Sequence, residues 1–198
     1  MLAAQIAAQT MLPPRMLMTR ADRAVLEMNG LLDQEGIELI EGDLIKKMPK
    51  HWLHINALQT LLHWLAGVFG NGFVASEASI NVAPEDNPTS EPEPDLVVLK
   101  RPRREFAKGS TKPGPEDLHL IVEVSGATLD FDSTVKAELY ARARIPEFWV
   151  LDLKGRRMGV HRDPQLGGYK SVVWYGEHET VSPLSSPDAQ FVVGSAFE

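Results

Sequence analysis

The chain has 198 residues, a formal net charge of −7 at pH 7 and 43% hydrophobic content, enough apolar material for one folded domain with its own core. It contains no cysteine, which excludes disulfides, thiolate metal sites and thiol nucleophiles, and which fits a reducing cytoplasm. Its acidity excludes a protein that coats nucleic acid through bulk positive potential, and no stretch approaches the ~18 uninterrupted apolar residues of a membrane span.

Met1 to Leu12 is apolar and alanine-rich without a basic stretch ahead of it. Residues 1–18 therefore read as an N-terminal extension, loose or partner-contacting, ahead of a single domain over 19–198. Thr19 to Asn29 has helical composition, with Thr19 as N-cap and Gly30 as stop. Ile37 to Met48 alternates about Gly42-Asp43 and predicts a hairpin. From Trp52 to Phe69, apolar residues at Ile55, Leu58, Leu62, Leu65 and Phe69 follow the three-and-four spacing of a helix with one buried stripe, closed by Gly70-Asn71-Gly72. Phe73 to Val82 reads as an alternating strand, and Ala83 to Pro94 as a proline- and acid-rich loop.

Leu96-Val97-Val98-Leu99 and Leu118 to Val124 read as short buried strands, separated by a segment too rich in proline and glycine for a long helix. A helix over about Ser133 to Ala143, capped by Asp132 or Ser133, precedes an apolar strand at Phe148 to Leu153. Gly159 to Arg162 with Tyr169 to Tyr175 closes the pattern as a hairpin. This order predicts an α/β fold in which a mixed β-sheet is flanked by helices.

The chemistry concentrates at the ends of the two central strands. Asp95 opens one apolar run and Glu123 closes the other. Two carboxylates on adjacent strands suit a hard cation bound through oxygen, Mg2+ or Mn2+, and a lysine nearby would orient water or balance charge during phosphodiester hydrolysis. Strand alternation puts His119, Ile121, Glu123 and Ser125 on one side of the sheet. Lys136 and Tyr140 share one side of the following helix, with Asp132 a turn earlier. The same spacing also fits a solvated rim on which Lys136 merely pairs with Asp132. Glu93, in the loop before Asp95, is a further candidate oxygen ligand. Lys100, Arg101, Arg103, Arg104, Lys108 and Lys112 form the strongest basic cluster, with Arg101, Arg103 and Arg104 as candidate phosphate contacts. No HExxH, glycine-rich phosphate loop or GxSxG motif is present.

Pro94-Asp95, Glu123-Val124-Ser125, Asp132, Lys136, Tyr140 and Pro146 to Asp152 together resemble the Uma-type family of restriction-endonuclease-like proteins, a branch of the PD-(D/E)XK nuclease superfamily. Ile37 to Ile45 and His54 resemble that family's first hairpin and first helix, so the resemblance runs over about residues 20–180. It implies a restriction-endonuclease-like core, with Asp95 and Glu123 as metal ligands and catalytic residues, and His54, Ser125 and Tyr140 bordering the cleft. In the superfamily pattern a lysine stands two places beyond the second acid, where this chain has Ser125; the resemblance implies that the lysine has moved to the next helix as Lys136.

The expectation is therefore a cytoplasmic, Mg2+-dependent (or Mn2+-dependent) deoxyribonuclease with DNA as partner and no membrane association. The rival readings are a nuclease-like module that binds DNA or protein without cutting, and a structural homodimer for which the apolar N-terminus supplies an interface.

Overall fold

The computed structural model describes residues 16–32, 36–47, 51–109 and 111–198. The expected N-terminal extension lies mostly outside the described residues, as does Met48 at the end of the expected hairpin.

Helix α1 (Arg20–Met28) begins at Thr19, whose hydroxyl accepts from the Asp22 backbone N–H while the Asp22 carboxylate accepts from Thr19 in return. β1 (Ile37–Ile40) and β2 (Asp43–Lys46) form a hairpin of their own, with Ile40 paired to Asp43. The turn is therefore Glu41-Gly42, one residue earlier than the alternation suggested. Both turn residues have positive φ, at 50° and 82°, the combination that matches the twist of a two-residue hairpin. Helix α2 (Trp52–Phe69) has the bounds its periodicity predicts.

A six-stranded sheet follows the order β3-β4-β5-β6-β7-β8. Its strands are β3 (Val74–Ser76), β4 (Leu96–Leu99), β5 (Leu118–Ser125), β6 (Glu147–Asp152), β7 (Arg157–Gln165) and β8 (Gly168–Gly176). β5 and β6 run parallel and every other neighbouring pair is antiparallel, so the sheet is mixed. β3 stops at Ser76, well short of the predicted strand end at Val82, because Glu77 takes a φ of 51° and turns the chain off the edge. Among its described residues, the segment between β4 and β5 contains a short helix α3 (Arg103–Phe106) and a 3-10 turn.

The crossover from β5 to β6 consists of α4 (Leu129–Phe131), a π-helical turn at Asp132–Lys136 and α5 (Ala137–Arg142). The helix starts earlier than predicted, so Asp132 lies inside it rather than at its cap. A small ladder, β9 (Thr180–Val181) with β10 (Phe191–Val192), is followed by a 3-10 helix at Val193–Phe197.

Strand alternation divides the core into two layers. Leu96, Val98, Leu120, Val122, Trp149 and Leu151 pack against Leu58, Leu61 and Leu65 of α2. Val97, Ile121, Phe148 and Val150 pack against Leu139 and Tyr140 of α5, with Ile40 of β1 closing the same layer. Glu123 has the parity of Ile121, so its side chain faces the crossover helix. That parity, together with the end of β4, positions the candidate site.

Candidate functional site

Leu96 pairs with Val122 across the antiparallel β4–β5 ladder, so the next rung sets Asp95 opposite Glu123. The two carboxylates interlock at this point. The Val124 N–H donates to Asp95 Oδ2 at 2.8 Å, and the Asp95 N–H donates to Glu123 Oε2 at 3.4 Å. Both acids are buried, at 7% and 4% exposure, although cross-strand neighbours of like charge repel.

Lys136 reaches this pair from the π turn. Its Nζ lies 3.0 Å from Glu123 Oε1, 2.7 Å from Glu38 Oε1 and 3.8 Å from Asp132 Oδ1, with the residue only 3% exposed. A π turn holds one more residue than an α turn, and such turns recur at functional sites. Here it carries Asp132 and Lys136 inward together. Tyr140, one turn further on, donates its hydroxyl to Glu123 Oε1 at 3.0 Å. Ser125 and Thr128 both donate to Asp132 Oδ2 at 2.7 Å.

The electrostatics follow from burial. Desolvation pushes the Glu123 carboxyl up, Lys136 pulls it back, and Asp95, Asp132 and Glu38 push it up again, to about 8. Burial likewise raises Asp132 against the pull of Lys136 and of its hydroxyl donors. For Lys136 burial works against the charge, but Glu123, Glu38 and Asp132 outweigh it and hold the ammonium above the ordinary lysine range. Lys136 is therefore a fixed cation at neutral pH.

These groups form the floor of a cavity of about 380 Å³. The end of β2, the start of α2, the end of β5, the crossover helix and Leu153-Lys154 wall it. His54 lines it with Nε2 3.6 Å from Asp95 Oδ1; that nitrogen is buried and has no hydrogen-bond partner among the described residues. Asp95, Glu123, Lys136, His54, Ser125 and Tyr140 thus fall into one neighbourhood, and the solvated-rim alternative does not describe their burial.

The Glu93 carboxylate does not line the cavity. It lies 3.6 Å from Lys47 and 3.7 Å from Arg23, and accepts from Ser79 Oγ at 3.2 Å. Arg101, Arg103 and Arg104 lie beyond the other end of β4 from Asp95, a separation of roughly 20 Å along extended chain at about 3.3 Å per residue. Arg101 is committed there to Asp117 at 2.7 Å and stacks over the Phe106 ring at 4.5 Å, Arg103 donates to the Val74 carbonyl at 3.4 Å, and Arg104 is exposed.

Two members of the cluster, Glu38 and Asp132, are not among the site residues expected from the sequence. Glu38 interrupts the apolar run Ile37-Glu38-Leu39-Ile40, and a carboxylate inside a strand buried on both faces needs a cation, which was the available signal. Asp132 was read as a helix cap, yet its four-residue spacing from Lys136 already placed both on one face. Among the described residues, no group of three or more His, Asp or Glu side chains is arranged as a ready-made metal cage. No helix among them is long and apolar enough to cross a membrane.

The mixed sheet, its single parallel pair and the helical crossover define a restriction-endonuclease-like α/β fold. A solved structure described as "a putative nuclease belonging to DUF820", from Anabaena variabilis, has this fold, with 14% identity, a TM-score of 0.63, and coverage of 86% of this chain and 95% of that one. The chain belongs to the family described as "Uma2: Putative restriction endonuclease", whose model matches residues 25–193. No individually curated protein matches it.

Proposed function

We propose that the protein is a divalent-cation-dependent deoxyribonuclease that hydrolyses DNA phosphodiester bonds in the cytoplasm. The observation that carries this reading is the cross-strand pair Asp95 and Glu123 beside the Lys136 ammonium on a cavity floor, in a chain of this family.

The donor set suits Mg2+ or Mn2+. Mg2+ keeps several of its waters and takes one or two carboxylates, which is what Asp95 and Glu123 offer, and burial, with the neighbouring carboxylates, pushes Glu123 up, an effect a bound cation offsets. A bound divalent ion supplies Lewis-acid polarisation of the phosphate and a more acidic water. Lys136, held protonated, cannot act as a general base; it neutralises charge developing on the phosphate oxygens. Glu38 and Asp132 hold the ammonium in place from either side, and Tyr140 fixes the Glu123 carboxylate.

Incubation of the purified protein with plasmid and single-stranded DNA in Mg2+ or Mn2+, beside an Asp95→Ala/Glu123→Ala control, tests the reading. Cleavage by the parent alone is expected. Retention of cleavage by the double variant would exclude this site as the source, and DNA binding without cleavage by the parent would make the protein a non-cleaving nuclease-like module.

A further inference from the structure

We infer that the site takes DNA through unpaired nucleotides, so that its substrate is a single strand, or a duplex whose strands have splayed, rather than continuous duplex. This rests on reading the acidic floor as a phosphodiester-cutting site.

Depth is the first reason. Asp95, Glu123 and Lys136 are 7%, 4% and 3% exposed, at the bottom of a cavity of about 380 Å³. That volume belongs to the class of small-molecule pockets, about 300–1,000 Å³. Duplex recognition works the other way round, with a protein element protruding into a groove. A phosphate can meet this floor only if its own nucleotide enters the cavity, which intact base pairing and stacking forbid. Extrusion of one nucleotide costs a few kcal/mol in a duplex and far less where the strand is already unpaired.

The walls supply the second reason. Ile45, Leu53, Val124, Phe131 and Leu153 line the cavity above the charged floor. Apolar and aromatic walls around a phosphate-cutting floor suit a base and a sugar, and repel a track of consecutive phosphates.

The mouth supplies the third. Lys46, at the end of β2, and Lys154, after β6, are exposed and also line the cavity, giving cations from two separate elements for the phosphates on either side of the entering nucleotide. A net charge of −7 confines attraction for a polyanion to such local cations.

The test is fluorescence anisotropy with one labelled DNA sequence as single strand, splayed-arm duplex and blunt duplex. It is run in Ca2+ with the full chain and its Lys46→Ala/Lys154→Ala variant, beside cleavage of the same molecules in Mg2+ or Mn2+. The single strand and splayed arm should bind at least about tenfold more tightly than blunt duplex, and Lys46→Ala/Lys154→Ala should lose about tenfold of single-strand affinity while leaving duplex affinity unchanged. Equal affinity for all three, no binding to any, or a Lys46→Ala/Lys154→Ala protein that binds single strand like the parent would overturn the inference. Duplex cut as fast as single strand would overturn it while leaving the nuclease reading intact. Preference for unpaired DNA without cleavage of any form would overturn the nuclease reading and the inference with it.

Discussion

Glu123 shares its pocket floor with Asp95, Asp132 and Glu38, and burial with their combined charge raises its carboxyl to about 8. The folded protein therefore keeps a proton that the unfolded chain gives up near the ordinary value of 4.5. Between those two pH values the unfolded state binds fewer protons, so this group's contribution to stability falls as pH rises. Asp132, also raised, acts with the same sign. Glu123→Gln removes the titration but can still accept from Tyr140. Thermal melts without metal should show the variant more stable than the parent at pH 8, by on the order of 1 kcal/mol or roughly 2–4 °C in Tm, with the difference shrinking towards pH 5. A variant less stable than the parent at pH 8 would mean that the carboxylate is held by Lys136 more strongly than burial opposes it.

At the scale of elements, the site depends on two secondary-structure features that arrive from different directions: the open end of the β4–β5 ladder and the π turn of the crossover. The first was legible in sequence. Asp95 and Glu123 bound apolar runs whose lengths fix the strands, and alternation put Glu123 and Ser125 on the helix side of the sheet, where Ser125 now meets Asp132. The second was legible only in part: four-residue spacing puts Asp132 and Lys136 on one face, but helical periodicity does not reveal the π turn through which both face inward. The β1–β2 hairpin was read correctly as an element, but its contribution to the site depends on which residue meets a partner distant in sequence, and Glu38 meets Lys136 only in the fold.

The element-scale prediction concerns the lysine's place of origin. Lys136→Gln should slow cleavage at least about a hundredfold, with metal binding retained, because it removes a cation that acts on developing charge. Ser125→Lys in that background delivers an ammonium from β5 towards Asp132 and should restore part of the rate. Circular dichroism of both proteins separates loss of chemistry from loss of fold. A Lys136→Gln enzyme as fast as the parent would remove the role assigned to this residue.

For the whole molecule, the acidic sum of charges and the cationic mouth are consistent because charge is sorted by position. In the basic run after β4, the strongest in the sequence, Arg101 pairs with Asp117 and Arg103 with the Val74 carbonyl, whereas Lys46 and Lys154, far apart in sequence, both line the cavity. Linear clustering pointed to the end of β4 opposite Asp95, since a strand separates by its length residues that are neighbours in sequence. Fold class was readable from the order of elements, and the central acids from their positions at strand ends; the arginines at the far end of β4, and the carboxylates that hold Lys136, required the tertiary structure.

On the proposed function, Asp95 and Glu123 would hold one divalent cation between them. Calorimetric titration of the parent with Mn2+ should give saturable one-to-one binding, and Asp95→Asn should abolish it in a protein that remains folded. Equal binding by parent and variant would contradict the shared site.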